Sequence, residues 1–352
     1  MLTPGPLQVS PAVWKAAWEY QLNHRSDTVR ESLIKIQKNL KKILKLSNNY
    51  RIIFFNSSGR GAVEAALSPF LPQKKSLVLV NGAWGNYMAR IARCYDPKCG
   101  VAFFNQNKPI NLEKLGKIIR QKKPQVIFFV AHETEQGLLN NVAKIAKLAK
   151  KYNCMLVVDA MSAVVVENID YERLGIDLII FNSTKALRSI GPIGMVAIKK
   201  SALKKIQASK NSYLNLYAEA LCQNANVLPT NSLSPYAVMS LLKSTTELLK
   251  EGVQHRRRDI LKKMSILKSW AVKKKLKFLI DPNFLGNFTL PLYLPLPWKY
   301  PNFHKQLQKK GFFVRYSLLG EQGNTFEVCP VGYLSKKNIY DFIKAVNNIL
   351  SL

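Results

Sequence analysis

Two short apolar runs in the middle of the chain both stop at polar residues, and this pattern restricts the fold more than any other feature. Residues 155–158 (MLVV) are followed by Asp159, and residues 178–181 (LIIF) by a polar segment that ends in Lys185. Such runs are typical of buried parallel strands. They predict an α/β fold with a mostly parallel central sheet, in which Asp159 and Lys185 meet in the crevice at the strand carboxyl ends.

A lysine and an aspartate in that crevice have a specific joint chemistry. The amine can form a Schiff base with pyridoxal phosphate, and the carboxylate can keep the pyridine nitrogen protonated so that the ring withdraws electrons. The simpler alternative is that Asp159 caps a helix and Lys185 is a solvated surface lysine. A lone pair favours this alternative, but neighbouring segments supply the remaining parts of a cofactor site.

A strand, a turn of small residues and a helix precede this pair along the chain. Residues 51–55 read as the strand, residues 56–61 (NSSGRG) as the turn, and residues 62–67 as the first turns of the helix. Backbone N–H groups at a helix start, with the positive end of the helix dipole, bind phosphate. Glycine also occurs in turns that bind no ligand, so the motif alone is weak evidence for a phosphate site. Its position relative to Asp159 and Lys185 strengthens that interpretation.

Two further predicted strands end in residues suited to a planar ring. Residues 77–80 lead into Trp84, whose indole could stack on a heteroaromatic ring, although a core tryptophan is an equal alternative. The strand Val126–Val130 leads to Thr134, which could donate to a phenolic oxygen of the cofactor. His132, between them, fits a structural role as well as a catalytic one and is left unassigned.

These motifs, in this order, resemble the class V, fold type I aminotransferases, and among them the 2-aminoethylphosphonate–pyruvate and alanine–glyoxylate/serine–pyruvate group. The resemblance covers the chain almost from end to end and rests on many short matches. The matching segments are residues 2–6 (LTPGP), His24-Arg25, Ser58-Gly59, residues 81–85 (NGAWG), His132-Glu133-Thr134 with Gly137, residues 158–162 (VDAMS), residues 174–177 (LGID) and Lys185.

The resemblance implies a role for each matching residue of the site. Lys185 falls where the family has its Schiff-base lysine, and Asp159 would pair with the pyridine nitrogen. The other residues implied in cofactor binding are Ser58, Gly59, the amide of Arg60 and Thr184 at the phosphate, Trp84 on the ring face, Thr134 at the ring hydroxyl, and Met161 in the segment after Asp159. A second subunit would close the phosphate site with residues 227–232, where Thr230 is the candidate.

The resemblance also implies the activity: a homodimeric aminotransferase that uses pyridoxal 5′-phosphate. An amino group would pass from a small donor, such as alanine, serine or a 2-aminoethylphosphonate-like compound, to pyruvate or glyoxylate. Lys185 would carry the cofactor and, once freed by the donor, remove the donor's α-proton as general base, while Asp159 keeps the pyridine protonated. The residues themselves do not select among these substrates.

One departure bears on the substrate. The family binds a carboxylate with an arginine in a Phe-Arg-Ile-Gly stretch near the C-terminus, and Glu327 stands at that position here. If Glu327 faces the substrate, the chain must accept a donor with a cationic or neutral distal group or recruit another arginine, with Arg315 and Arg188 as candidates. A one-residue change of strand register would instead turn Glu327 outward.

Two other functions therefore stay open. One is a different pyridoxal-phosphate reaction, such as that of a lyase. The other is a non-catalytic, anion-binding derivative of the fold, against which the retention of Lys185 and Asp159 argues.

Length and composition fit one large and one small domain. With 352 residues, of which 47% are hydrophobic, the chain can bury a large core. We expect an N-terminal arm over residues 1–30, a large cofactor-binding domain over 31–235 and a small α+β domain over 236–352.

The remaining global features predict a cytoplasmic protein that binds neither a membrane nor a specific nucleic acid. No apolar run approaches the length of a membrane helix, and Met1 is not followed by a signal-like segment. The 53 basic and 21 acidic residues give a net charge of +32, but the lysines are spread over most predicted surface helices. The five cysteines show no metal-site spacing, and their odd number argues against a disulfide framework.

Overall fold

The computed structural model describes residues 1–19, 21–317 and 323–351. The helices are α1 Pro11–Trp18, α2 Asp27–Leu44, α3 Gly59–Leu67, α4 Ala83–Tyr95, α5 Leu112–Lys122, α6 Val142–Lys151, α7 Lys200–Leu203, α8 Leu216–Asn226, α9 Pro235–Glu251, α10 Val253–Lys273, α11 Tyr300–Lys309 and α12 Lys336–Leu350. The strands are β1 Tyr50–Phe55, β2 Ser76–Val80, β3 Gly100–Phe103, β4 Val126–Val130, β5 His132–Glu133, β6 Leu138–Leu139, β7 Met155–Asp159, β8 Leu178–Asn182, β9 Gly194–Lys199, β10 Leu290–Tyr293 and β11 Thr325–Val328.

Seven of these strands form the central sheet, in the order β1-β9-β8-β7-β4-β2-β3. Strands β8, β7, β4, β2 and β3 pair in parallel, and β9 is antiparallel to both of its neighbours. The predicted α/β fold with a mostly parallel sheet is thus confirmed. Because Asp159 pairs with Ile180 across β7 and β8, the segments that follow these strands leave the sheet at the same edge.

Helices cover both faces of the sheet, because consecutive strand residues point to opposite sides and both sides are apolar. In β4, for example, Phe128 and Phe129 are fully buried in two different cores. Helix α2 covers one face with a buried stripe; Ser26 caps its start and Lys45, in a left-handed conformation, ends it.

The C-terminal part of the chain has a core of its own. It combines the pair β10–β11 with the apolar faces of α10, α11 and α12, and Leu2 joins this core from the N-terminal arm. Helix α9 packs on α1 and α2 and belongs to the core of the large sheet. The division at residues 30 and 235 stays a prediction, and Leu352 lies outside the described residues. Within the described ranges, no helix combines the length and apolar character needed to cross a membrane.

Candidate active site

A cavity of about 210 Å³ lies at the carboxyl edge of the sheet, and we call it the cofactor cavity. It brings together residues from widely separated strand ends. Of the residues implied in cofactor binding, those that line it are Ser58, Gly59, Arg60, Trp84, Thr134, Asp159, Met161 and Lys185. Thr184 and Thr230 do not line it.

Lys185 enters this cavity from the turn between β8 and β9. The Ser183 hydroxyl donates to the Gly191 carbonyl at 2.7 Å and holds this turn closed. The Lys185 Nζ donates to the Pro4 carbonyl at 2.6 Å and lies 5.4 Å from the ring centre of Phe288. Burial lowers the pKa of Lys185. The amine therefore loses its proton more readily than a surface lysine, as a nucleophile and general base must.

Asp159 is the last residue of β7 and is 7% exposed. Its Oδ1 accepts a hydrogen bond from the Met161 amide at 2.9 Å, which orients the carboxylate toward the cavity edge. Burial raises the pKa of Asp159 to about 6, while the Met161 N–H and the positive charge of Lys185 act in the opposite direction. A protonated ring nitrogen placed against this carboxylate would restore its full charge.

The predicted turn before α3 is shorter than expected, because the helix begins at Gly59 rather than at residue 62. Ser58 is the N-cap in an extended conformation, and its hydroxyl makes no capping hydrogen bond, so it is left to bind a ligand. A Cβ at Gly59 would lie 2.8 Å from the Met161 sulfur, so a larger residue here would require the Met161 side chain to move. Ser58, Gly59 and Arg60 line the cavity, which brings the first turn of α3, with its free N–H groups, to the cavity wall.

Trp84 also lies in a first helical turn, that of α4. The buried Glu133 carboxylate accepts the N–H of Trp84 at 2.9 Å and that of Gly85 at 2.7 Å, which anchors this turn to the strand end. The Trp84 indole N–H donates to the Thr134 hydroxyl at 2.6 Å, so the Thr134 proton remains available to a ligand oxygen. Burial raises the pKa of Glu133 to about 7 despite these two N–H donors.

Tyr87 and Asn182 are among the cavity residues that the sequence analysis did not assign. Tyr87 follows Trp84 by one turn of α4, and the Arg60 guanidinium lies 4.9 Å from its ring centre and 5.7 Å from that of Trp84. Asn182 ends β8, so the strand-end argument that found Asp159 and Lys185 could also have found it.

Buried polar atoms in the cavity fit a polar ring compound. The side-chain oxygen of Asn182 has no hydrogen-bond partner among the described residues, and the buried ring of His132, with its Nδ1 3.9 Å from Oε1 of Glu167, also lines the cavity. Burial lowers the pKa of His132, which favours the neutral ring. Together with a helix start for a phosphate, an indole face, a carboxylate and an amine, these atoms form a donor set that matches pyridoxal phosphate.

Thr184 and Thr230 have other surroundings. The Thr184 hydroxyl accepts a hydrogen bond from the side-chain amide of Asn182 at 3.2 Å. Thr184 thus contacts a residue of the cavity lining but does not itself belong to that lining. Thr230 is bound to Glu219 and lines a separate depression with His24 and Arg25. Its contact with a second subunit stays a prediction.

Glu327 is fully buried in β11, so it does not face outward. Arg315 lies opposite it in an isolated antiparallel bridge, and its Nη2 is 3.4 Å from Oε1 and 3.3 Å from Oε2 of Glu327. The second candidate arginine, Arg188, instead donates through Nε to the Val331 carbonyl at 2.7 Å. Of the two arginines, Arg315 is the partner of Glu327.

Comparison with protein families and sequences gives a consistent result. The model of the family described as "Aminotransferase class-V" matches residues 12–214. The 2-aminoethylphosphonate–pyruvate transaminase of Phocaeicola vulgatus is 27% identical over 99% of this chain and 98% of the relative. Its counterpart in Vibrio cholerae is 26% identical, over 99% and 97%.

Solved structures with the same fold include two enzymes that act with glyoxylate by name. Alanine–glyoxylate aminotransferase from Nostoc sp. superposes with a TM-score of 0.91, at 19% identity, over 99% of this chain and 94% of that one. Ureidoglycine–glyoxylate aminotransferase from Bacillus subtilis gives a TM-score of 0.92, at 16% identity, over 99% and 92%. At these identities the superpositions establish the fold.

Proposed function

The chain belongs to the class V aminotransferase family and is a transaminase, and from this premise we propose that it binds pyridoxal 5′-phosphate through Lys185. We propose as substrates a small amino donor, such as alanine, serine or 2-aminoethylphosphonate, and pyruvate or glyoxylate as acceptor. The convergence of Lys185, Asp159 and the α3 start in one cavity carries this proposal.

The chain's own residues divide the work in the following way. When bound, pyridoxal phosphate supplies an electron-withdrawing ring that stabilises negative charge at the substrate α-carbon. The α3 start would hold the phosphate through Ser58 and the amides of Gly59 and Arg60, and Asp159 would hold the proton on the ring nitrogen. The buried Lys185 amine would take and return the α-proton, since its lowered pKa suits general base catalysis.

Trp84 and Thr134 would orient the ring in this arrangement. The indole would stack on the ring, and its N–H bond to Thr134 at 2.6 Å fixes both side chains at once. The Glu133 carboxylate fixes the backbone of Trp84 and Gly85 by accepting their N–H groups.

A visible spectrum and a substrate screen test this proposal. Protein incubated with pyridoxal phosphate should gain a visible absorption band, and borohydride should fix a pyridoxyl group on Lys185 in peptide mapping. Donors and acceptors are then tested in pairs, with 2-aminoethylphosphonate, alanine and serine against pyruvate and glyoxylate. A pyridoxyl group on another lysine, or no amino transfer in any pair, would contradict the assignment.

A homodimer is part of the same proposal. Trp14 and Trp18 are 56% and 58% exposed and form an aromatic cluster with Tyr236, which follows the segment that contains Thr230. Large exposed aromatic side chains are enriched at protein interfaces. Light scattering should give twice the chain mass, and Trp14→Ala with Trp18→Ala should shift it toward the monomer. The expected cytoplasmic location also stays a prediction, which cell fractionation would test.

A further inference from the structure

The first residues of the chain pass directly over Lys185. We call residues 2–8 (LTPGPLQ) the strap. Leu2 belongs to the core of the C-terminal part and Leu7 to the core of the large sheet, so the strap joins the two cores. Between these anchors, the Pro4 carbonyl accepts a hydrogen bond from the Lys185 Nζ at 2.6 Å. The strap therefore supplies a hydrogen-bond partner for the Lys185 amine.

Backbone hydrogen bonds at both ends fix the strap in place. The Leu2 N–H donates to the Phe313 carbonyl and the Leu2 carbonyl accepts from the Cys329 N–H, both at 2.8 Å. At the other end, the Gln8 carbonyl accepts from the Tyr333 N–H at 2.7 Å. Leu2 is only 1% exposed. The carbonyl that meets the amine is therefore placed by the fold rather than by the amine itself.

Gly5 allows the strap to come this close. Its φ of +155° is one that residues with a side chain rarely adopt. A Cβ at this position would also lie 3.1 Å from the Lys185 Nζ and 3.5 Å from its Cε. An alanine here would push the amine aside, because the end of a lysine side chain moves more easily than a strap that is bonded at both ends. A single methyl group at residue 5 can therefore separate the amine from the Pro4 carbonyl.

This contact matters because a general base must act from a fixed point. The long side chain of a lysine loses up to about 2 kcal/mol of conformational freedom when it is held in one position. Burial lowers the pKa of Lys185 and so favours the neutral amine. Such an amine can donate one hydrogen atom to the carbonyl and keep its lone pair for a proton. The strap thus holds the amine without preventing it from acting as a base.

We propose that the strap is a positioning element of the transaminase, and that the Pro4 carbonyl holds the Lys185 amine whenever this amine is not bound to pyridoxal phosphate. The inference rests on the proposed function and extends it to a segment that does not line the cofactor cavity. Attachment forms a C=N bond between Nζ and the aldehyde carbon of the cofactor and releases one water, so the amine must first leave Pro4. The strap therefore competes with attachment, but it supports the amine once the substrate has freed it.

This role predicts opposite effects on two steps. Loss of the hydrogen bond should favour covalent attachment by up to about tenfold, since the unattached amine loses its partner. The same loss should lower kcat by about tenfold, because the freed amine is no longer held in one orientation. A strap that only supports the fold would instead lower attachment and turnover together.

Two variants loosen the strap in different ways. Gly5→Ala places a methyl group against the amine, and Leu2→Ala removes the apolar anchor at the start of the strap. Each variant preserves the test if the other does not fold. Thr3→Ala is the matched control, because the Thr3 hydroxyl lies in the same strap but donates to the Pro6 carbonyl at 2.9 Å.

The amine is first probed without cofactor. Cofactor-free protein is treated with a trace of acetic anhydride, and peptide mapping gives the acetylation of Lys185 relative to that of the exposed Lys305. Gly5→Ala and Leu2→Ala should raise this ratio roughly three- to tenfold, because an amine without its carbonyl partner is freer to react. Thr3→Ala should leave the ratio at the parent value.

Further measurements separate positioning from folding. The ring analogue 4-deoxypyridoxine 5′-phosphate has a methyl group in place of the aldehyde and cannot attach to Lys185. Its dissociation constant, from equilibrium dialysis, should stay within about twofold of the parent value. Covalent attachment is followed in the visible band, and kcat and KM are measured with an accepted donor and acceptor pair. We expect tighter attachment, a lower kcat and a KM close to that of the parent.

Three results would overturn the proposal: unchanged acetylation of Lys185 in both variants, an unchanged kcat in both variants, or a joint loss of attachment, analogue binding and turnover, which would make the strap a structural element only. Acetylation is measured without cofactor and attachment without substrate, so both report on the strap even if the protein transfers no amino group. Failure of the transaminase proposal is seen separately, in the substrate screen.

Discussion

The cofactor cavity is built differently from the group of charged side chains formed by Glu135, Arg315 and Glu327, which we call the Arg315 cluster. Asp159 and Asn182 end neighbouring strands of the main sheet, so the fold brings them together by itself. Glu135, Arg315 and Glu327 come from a loop, a β-bridge and a strand of the small sheet. The first site thus depends on the sheet, and the second depends on how the C-terminal part packs against it.

This difference has a counterpart in the charges. In the cofactor cavity, one carboxylate and one amine face a space that a ligand can fill. In the Arg315 cluster, two carboxyl groups already occupy one guanidinium. We therefore expect changes in the cavity to affect catalysis and cofactor binding most, and changes in the cluster to affect the stability of the C-terminal part.

We expect Lys185→Ala to lower turnover more than any other variant. A small loss of turnover would contradict the assignment of catalysis to the cofactor cavity. Removal of the amine removes both the covalent attachment and the general base, so turnover should fall by roughly 10³-fold or more. The measurements are amino transfer with an accepted pair and borohydride fixation followed by peptide mapping. Lys305→Ala is the matched control, and a Lys185→Ala protein that turns over normally would exclude this lysine.

Asp159→Asn should separate catalysis from cofactor binding. The amide keeps the shape of the side chain but cannot hold the ring nitrogen protonated, so turnover should fall roughly 10²-fold or more. Cofactor affinity, measured by dialysis, should fall much less, because the α3 start still binds the phosphate. Equal turnover of the variant and the parent would show that Asp159 does not have this role.

The sequence predicted that Asp159 and Lys185 lie in one crevice, and the structure places both in the lining of one cavity, for a physical reason. A buried strand is recognisable from its apolar run, and the residue after it must lie at the sheet edge, which located Asp159 and Lys185. The start of α3 was placed three residues late, because the two glycines of the first turn resemble a turn and Ser58 caps the helix there.

The Arg315 cluster could not be assembled from the sequence to the same extent. Arg315 was only one of two candidate arginines, and Glu135 was not considered. No periodicity relates residue 135 to residues 315 and 327, since their contact depends on the packing of two separate cores. The direction of Glu327 also depended on strand register, which a sequence does not supply.

Glu133→Gln should remove a pH dependence of the protein's stability that arises at the start of α4, where Glu133 accepts the N–H groups of Trp84 and Gly85. The pKa of Glu133 is raised from 4.5 to about 7, so the folded protein binds this proton more tightly than the unfolded chain. The resulting stability is present below the unfolded pKa and is lost as the pH rises through the folded pKa, by about 3 kcal/mol at most. Urea unfolding of cofactor-free protein between pH 4.5 and 8 should show this loss in the parent and a flatter profile in the variant. Parallel profiles would contradict the assignment.

Arg60→Ala should have the smallest effect, and it separates the role of a side chain from that of a backbone. The variant keeps the first-turn N–H groups of α3 but loses the guanidinium that lies over Trp84 and Tyr87. We predict that the guanidinium adds one charge-assisted hydrogen bond to the phosphate beyond those of the backbone, so affinity for pyridoxal phosphate should fall roughly tenfold, as measured by equilibrium dialysis. Arg90→Ala, at an exposed position on α4, is the control. Unchanged affinity would assign phosphate binding to the backbone alone.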